Sequence, residues 1–420
     1  MRYRVRQWIC ARFRHCCAAA CLGIALLSTG CATTSTAPAP AMAASAAGRI
    51  CVDAGCADMP TEASALPRVE LALRPALQAA RRARRAEPGP AAQRDWLRCA
   101  LAAHAQMGAA DRLLAVAAAN QASRCSEAFL RGGLALSPHA WASPVVRLGG
   151  VAVSLDSRRP SAELVGAMTV RVASDVPLDL LDSRHVQAGF GVPVVLLTAR
   201  CQDRPQCRLL PPEGVFRWAT AWLEPPPPGS EAEAALRLAD PLQQPALEVG
   251  AQSFPLALDS SSFFDFGARQ SALPRLGVWG LIGGREVGRR AGVYLLEDYD
   301  PHKRPLVMVH GLGSSPLAWA RLSSAVWADP RLRSHYQVWH VVYQTNAPLL
   351  ITRHRVQQYL DATWRLLDPA GTDPARDHMV LVGHSLGAVV SRLLTADSGD
   401  VLWNAAFTVP PSSLQGAATM

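Results

Sequence analysis

The sequence has almost no lysine and few aromatic residues. Lys303 is the only lysine among 42 basic residues, and Phe, Trp and Tyr together make up 6% of the 420 residues. A nucleic-acid-binding surface needs clustered basic residues, usually interleaved with aromatic side chains. No such cluster occurs, so we expect no nucleic-acid partner. Half of the residues are apolar, which excludes a wholly disordered chain and, at this length, predicts two or three domains.

The sequence also lacks an apolar run near its start that is long enough to cross a bilayer, which takes about 20 residues. The apolar run at 16–27 is shorter, and no acidic residue occurs in the first 30 positions. A basic stretch, then a short apolar run, then small residues is typical of a secretory signal. Five arginines precede the run and account for more than half of the formal net charge of +9: Arg2, Arg4, Arg6, Arg12 and Arg14.

The segment Leu27-Ser28-Thr29-Gly30-Cys31 resembles the lipobox of bacterial lipoproteins, with the leucine one position further from the cysteine than usual. The resemblance implies that a signal at 1–30 is removed and that Cys31 carries lipid. It also implies a place in the bacterial cell envelope, on the periplasmic side or at the outer membrane. Residues 31–65 begin with an Ala-, Thr- and Pro-rich stretch typical of a flexible tether. Ordinary cleavage at another site is the alternative.

No Cys-x-x-Cys pair occurs, so we expect no zinc site of that type and no other metal. Six cysteines follow Cys31, and an exported protein in an oxidising compartment commonly forms disulfides. Their spacing favours three pairs: Cys51 with Cys56, Cys99 with Cys125, and Cys201 with Cys207.

Three segments follow the tether. Residues 66–135 carry apolar residues at helical spacing and predict two helices separated at 87–90. Residues 140–275 predict a β-rich accessory module, with strands at 145–155, 164–172, 192–198, 216–223 and 254–258. From residue 290 onwards, strands alternate with helices, which predicts an α/β fold with a doubly wound sheet. Its strands are expected at 292–296, 305–309, 336–343 and 379–382, its helices at 315–328, 351–367 and 386–394, and a loop from 404 to 420.

A Gly-x-Ser-x-Gly motif lies between the apolar strand at 379–382 and a helix. It consists of Gly383, His384, Ser385, Leu386 and Gly387. In this context the serine occupies a sharp turn, and the glycines are needed because a Cβ would collide with the neighbouring strand or helix. The motif predicts that Ser385 is a nucleophile, whereas an isolated match would more often mark an ordinary turn serine.

A second motif follows the strand at 305–309 and consists of His310, Gly311, Leu312 and Gly313. The segments LVGHSLG (381–387) and VHGLG (309–313) together resemble the α/β-hydrolase family, particularly its esterases and lipases. The resemblance implies attack by Ser385 on an acyl ester or lipid substrate, without a cofactor. The backbone N–H groups of Leu312 and Leu386 would then hold the oxyanion. Such donors contribute about 3–4 kcal/mol each. It also implies supporting roles for His310, Gly311, Gly383, His384 and Gly387.

In this family the catalytic triad follows the chain order Ser, Asp or Glu, then His. The 35 residues after Ser385 contain Asp397 and Asp400 but no histidine. We therefore expect residues 290–420 to be the N-terminal part of a hydrolase domain that lacks the triad acid and base, with little esterase activity. One alternative is a rewired triad that uses an upstream histidine. Another is a non-catalytic envelope lipoprotein whose residues 66–275 bind a partner. The oligomeric state is open.

The lipid anchor predicts that a Cys31→Ala variant leaves the membrane, because no acylated cysteine would hold it there. We expect the parent protein in washed envelope membranes and the variant in the soluble fraction, measured by immunoblot. A variant that stays in the washed membranes contradicts the anchor.

Overall fold

The computed structural model describes residues 66–137, 144–157, 169–212, 214–270, 285–396 and 399–410. The predicted signal, the tether, Cys31 and the Cys51–Cys56 pair lie outside these residues. The same holds for part of the strand expected at 164–172.

Three helices open the described chain: α1 (Leu66–Arg85), α2 (Pro90–His104) and α3 (Arg112–Leu136). The prediction of two helices is therefore wrong in number. The additional break is set by Asp111, whose side chain accepts hydrogen bonds from the backbone N–H groups of Leu113 (2.9 Å) and Leu114 (3.4 Å). A capping carboxylate of this kind starts a new helix. Across the described helices, none combines the length and apolar character needed to cross a membrane.

Disulfides join Cys99 to Cys125 and Cys201 to Cys207, two of the three pairs that the spacing favours. The first links α2 to α3, and the Gln121 side-chain amide donates to both of its sulfur atoms, at 3.3 and 3.2 Å. The second closes a short loop in which Asp203 lies close to both sulfurs. Because the two sulfurs are bonded to each other, Cys201, Asp203 and Cys207 form a loop closed by a disulfide.

The strands of the β-rich module are β1 (Val145–Leu148), β2 (Val151–Ser157), β3 (Thr169–Val172), β4 (Val186–Gln187), β5 (Val192–Thr198), β6 (Val215–Glu224), β7 (Ala234–Ala239), β8 (Ala246–Val249), β9 (Gln252–Pro255) and β10 (Leu258–Asp259). Six of them form one sheet in the order β1-β2-β7-β6-β5-β3, and all neighbours are antiparallel except β2 and β7. The single strand expected at 145–155 is a hairpin, because Gly149 (φ 58°) and Gly150 (φ 86°) form the turn. The strand expected at 254–258 is likewise two short strands.

This sheet is buried on both faces. Val194 and Leu196 of β5 pack into the core shared with α1, α2 and α3. Val195 and Leu197 point to the other face, where they join a second core with α4 (Ser262–Gln270) and the α/β segment. Residues 66–137 and the β-rich module therefore share one hydrophobic core.

The α/β segment alternates strands and helices, as the α/β class requires. Its elements are α5 (Arg285–Arg289), β11 (Gly292–Leu295), β12 (Arg304–Val309), α6 (Ala320–Ala328), α7 (Pro330–His335), β13 (Tyr336–Val342), α8 (Leu349–Leu367), α9 (Pro374–Asp377), β14 (Val380–Gly383), α10 (Leu386–Thr395) and α11 (Val401–Ala406). The strand order is β11-β13-β12-β14, with β12, β13 and β14 parallel and β11 antiparallel to β13. Residues 404–406 belong to a helix, so the loop expected from 404 begins later.

Helices cover both faces of this second sheet. Met308 and Val338 pack with Trp327 of α6 on one face. Val307 and Trp339 pack with residues of α8 and α10 on the other. The apolar sequence of strand β14 predicts a buried strand, but in the structure β14 is half-buried. Among the described strands only β12 pairs with it.

The two disulfides are expected to differ in their contribution to stability, because a cross-link stabilises more when it closes a longer loop. Replacing both Cys99 and Cys125 by Ala should lower the free energy of unfolding by about 3 kcal/mol, since the bond spans 26 residues. The matched double variant of Cys201 and Cys207, which spans 6 residues, should lose about 2 kcal/mol. Denaturant titrations measure both, and a reversed order contradicts the prediction.

Candidate active site

The two motifs meet at one edge of the α/β sheet. Strands β12 and β14 pair in parallel, with Val309 opposite Gly383, so the loop after β12 and the turn after β14 leave the sheet side by side. A Cβ added at Gly311 would lie 3.0 Å from the Cβ of Ser385. The structure therefore places the loop of the second motif (residues 310–313) directly against Ser385.

Ser385 has a strained backbone. Its φ is 53° and its ψ is −123°, and it is the only non-glycine residue with positive φ in the described part of the chain. Conformations of this kind cost about 1–3 kcal/mol and persist only where the surroundings impose them. The side chain is exposed, so the turn leaves Ser385 accessible to solvent.

The two motif glycines allow the close packing that imposes this turn. A Cβ on Gly387 would lie 2.1 Å from the Val309 carbonyl oxygen, and one on Gly383 would lie 2.5 Å from the Cα of Ala388. The backbone N–H of His384 donates to the same Val309 oxygen at 3.1 Å. Helix α10 therefore starts in contact with the end of β12, with no room for a side chain between them.

The backbone N–H groups of Leu312 and Leu386 are available to donate hydrogen bonds to a ligand. No described residue accepts a hydrogen bond from the amide of Leu312 or from that of Leu386. Leu386 is the first residue of α10, where the helix dipole favours negative charge. These are the two amides to which the resemblance to α/β-hydrolases assigns the role of oxyanion donors.

The loop that carries Leu312 is held by residues that directly follow β13. The Thr345 hydroxyl accepts a hydrogen bond from the Gly313 N–H at 3.3 Å. The Tyr343 hydroxyl donates to the His310 carbonyl at 2.6 Å, and its ring stacks on the His310 ring at 4.6 Å. Sequence reasoning missed both residues, although their position at the end of a strand parallel to β12 places them at this edge.

His310 is buried, and one of its ring nitrogens lies 3.0 Å from the Gly311 carbonyl. Burial lowers the pKa of His310 to about 4, so the ring is neutral at neutral pH. These contacts make His310 a support of the loop. His384, within the turn, is exposed.

No described side chain forms a hydrogen bond with the hydroxyl of Ser385. His340 lies in the core, where its Nε2 is 3.0 Å from the Ser323 hydroxyl. His335 is at the surface, with Nδ1 2.8 Å from the Arg331 carbonyl. The described site therefore brings together an exposed serine and two amides, without a paired base.

No protein family model, curated protein or solved structure matches this chain.

The contact between α10 and β12 predicts that Gly387→Ala is strongly destabilising, because the added methyl group would overlap a backbone oxygen that has little freedom to move. We expect a loss of about 3 kcal/mol in the free energy of unfolding. Gly108→Ala is the matched control, since its Cβ would lie no closer than 3.7 Å to another atom. Equal melting temperatures for the two variants would mean that the turn at Ser385 does not depend on this contact.

Proposed function

We propose that this chain is a serine hydrolase of the α/β-hydrolase type that acts on carboxylic esters through Ser385. The observation that carries the proposal is the strained, exposed Ser385, which directly precedes Leu386 and lies against the loop of Gly311 and Leu312, while no described residue accepts a hydrogen bond from the Leu312 or Leu386 amide. A strained serine turn between a strand and a helix is the arrangement by which such enzymes expose their nucleophile.

In the proposed reaction the Ser385 oxygen attacks the carbonyl carbon of the ester. The electron pair of the C=O bond moves to the oxygen, and the Leu312 and Leu386 N–H groups donate to it. The tetrahedral intermediate then collapses, the alcohol leaves with a proton, and an acyl-serine remains. Water attacks this acyl group, which releases the acid and restores the serine. The serine proton passes to a base and from that base to the leaving alcohol, and no described side chain forms a hydrogen bond with the Ser385 hydroxyl.

The surroundings of the serine favour an apolar acyl group. The Leu312 side chain is 59% exposed, and Leu312 follows Gly311, where an added Cβ would lie 3.0 Å from the Cβ of Ser385. Helix α8 follows β13 and so begins at the same edge of the sheet, and its second and third residues, Leu350 and Ile351, are 62% and 46% exposed. An acyl chain or a lipid would cover such side chains, and anchoring through Cys31 would bring the site to a membrane surface.

A Ser385→Cys variant tests the nucleophile separately from the base. A thiol ionises near pH 8.5 without a general base, and a helix N-terminus lowers its pKa further. With p-nitrophenyl butyrate at pH 8, we expect one equivalent of p-nitrophenol per chain and a butyryl group on residue 385, found by peptide mass spectrometry. Ser334→Cys, an exposed position on α7, is the control. Acylation of residue 385 no faster than that of residue 334 refutes the proposal.

The oxyanion role can be tested in the same Ser385→Cys background. Leu386→Pro removes the N–H at the first position of α10, where proline is well tolerated, whereas Leu386→Ala removes only the side chain. Loss of one oxyanion donor should slow acylation by roughly 100-fold, and the alanine variant should stay within a few-fold of the parent. Equal rates for the two variants, with matching melting temperatures, would exclude the Leu386 amide as a donor.

A further inference from the structure

One face of helix α1 carries a line of arginines. Arg74, Arg81 and Arg85 recur at spacings of seven and four residues, which places them on the same face of the helix. All three are exposed, and so are Leu71 and Gln78, which lie on that face as well. We call these five residues the arginine stripe. It runs along about 21 Å of the helix.

The opposite face of α1 is buried in the protein. Leu73, Ala76 and Ala80 pack into the core shared with α2 and α3, and the contacts of α1 are mainly with α2. Since this packing fixes the rotation of the helix about its axis, the arginine stripe faces outward. It is therefore a preformed outer surface of the protein, and no function considered so far uses it.

Two other arginines of α1 interact within the fold, on the side that faces α2. The Arg82 guanidinium lies 3.1 Å from the Asp95 carboxylate, and that of Arg84 lies 5.9 Å from the centre of the Trp96 ring. Helix α1 as a whole holds six arginines and one glutamate. The helix is therefore strongly positive, and the stripe carries this charge on the side turned away from α2.

A long positive surface of this kind is complementary to an anionic bilayer. Basic residues on one face of a helix are attracted to anionic head groups, and each of them adds to the affinity. Leu71, in line with the arginines, is 57% exposed and suits the apolar part of a bilayer surface. A nucleic-acid surface usually places aromatic side chains among its basic ones, and the stripe has none. The stripe therefore favours a lipid surface over a nucleic acid.

We propose that the arginine stripe of α1 binds the surface of an anionic phospholipid bilayer. Helix α1 lies along the membrane plane, its three arginines donate hydrogen bonds to head-group phosphates, and Leu71 enters the interfacial layer. The binding is electrostatic and reversible, so it adds to an acyl anchor at Cys31 without replacing it, and a wash at high salt releases it. The proposal does not depend on catalysis by Ser385.

The test measures co-sedimentation of the full chain with vesicles of phosphatidylglycerol and phosphatidylcholine in equal parts. The chain carries Cys31→Ala, which removes the expected site of acylation. We expect binding at about 0.1 M salt and its loss at about 1 M salt, where surface charges are screened within about 3 Å. Vesicles of phosphatidylcholine alone should bind little protein. No binding to the anionic vesicles, or equal binding to both kinds, would overturn the proposal and leave the proposed hydrolase function untouched.

Charge variants locate the binding surface. Arg74→Gln, Arg81→Gln and Arg85→Gln, combined in one chain, keep residues that favour a helix and should weaken binding to the anionic vesicles by roughly 10-fold or more. The control lowers the net charge equally by changing three arginines that are exposed outside α1 to Gln: Arg208, Arg331 and Arg365. It should bind as the parent does. Because all these chains share the same N-terminus, equal affinities of the two variants would overturn the assignment to α1.

A leucine variant separates a bilayer from a soluble polyanion. Leu71→Gln removes an apolar side chain but no charge, so it should weaken vesicle binding by about 3-fold or more. Leu332→Gln, at a position on α7 that is 39% exposed, is the control and should change nothing. An unchanged affinity of Leu71→Gln would refute the entry of this side chain into the bilayer. A parent chain that binds a short DNA duplex more tightly than the anionic vesicles would overturn the lipid assignment. The melting temperature of each variant shows that the fold is retained.

Discussion

The candidate site depends on how closely helix α10 approaches the end of strand β12. That approach is possible only because Gly387 has no side chain, since any Cβ would overlap the Val309 carbonyl oxygen. The buried Val390, one turn further along α10, packs into the core that contains Val307 and Val309 and so holds the helix down. The hydrophobic packing of α10 therefore offsets the cost of the strained backbone at Ser385.

Some buried polar groups are paired close to the contact between the six-stranded sheet and the α/β sheet. The buried Arg217 of β6 donates to the Leu296 carbonyl at 3.2 Å, after β11. The next residue, Glu297, accepts from the Trp327 indole and the Val338 N–H, each at 2.9 Å. Burial is the main reason that the pKa of Glu297 is raised. The bond from Arg217 joins the two modules, whereas the bonds to Glu297 lie within the α/β segment. Because a buried donor needs its acceptor, the Arg217 bond helps to fix one module on the other.

Local patterns in the sequence predicted the strands and helices of the α/β segment well, because apolar runs and Gly-x-Ser-x-Gly are local signals. They failed where one residue redirects the chain: Asp111 starts a third helix, and Gly149 with Gly150 turns one expected strand into a hairpin. Tyr343 and Thr345 were missed for another reason. Their role comes from strand pairing between distant segments, which no local pattern encodes.

The two-sided burial of β5 also limits how this chain can change during evolution. Alternate side chains on the strand belong to different cores, so a substitution that suits the α1–α3 side must leave the α4 side undisturbed, and a one-residue shift in register would exchange the two sets. Insertions within β5 should therefore be rare among descendants of this sequence. The same coupling argues against exchange of the β-rich module as an independent cassette, because its removal would expose both cores at once.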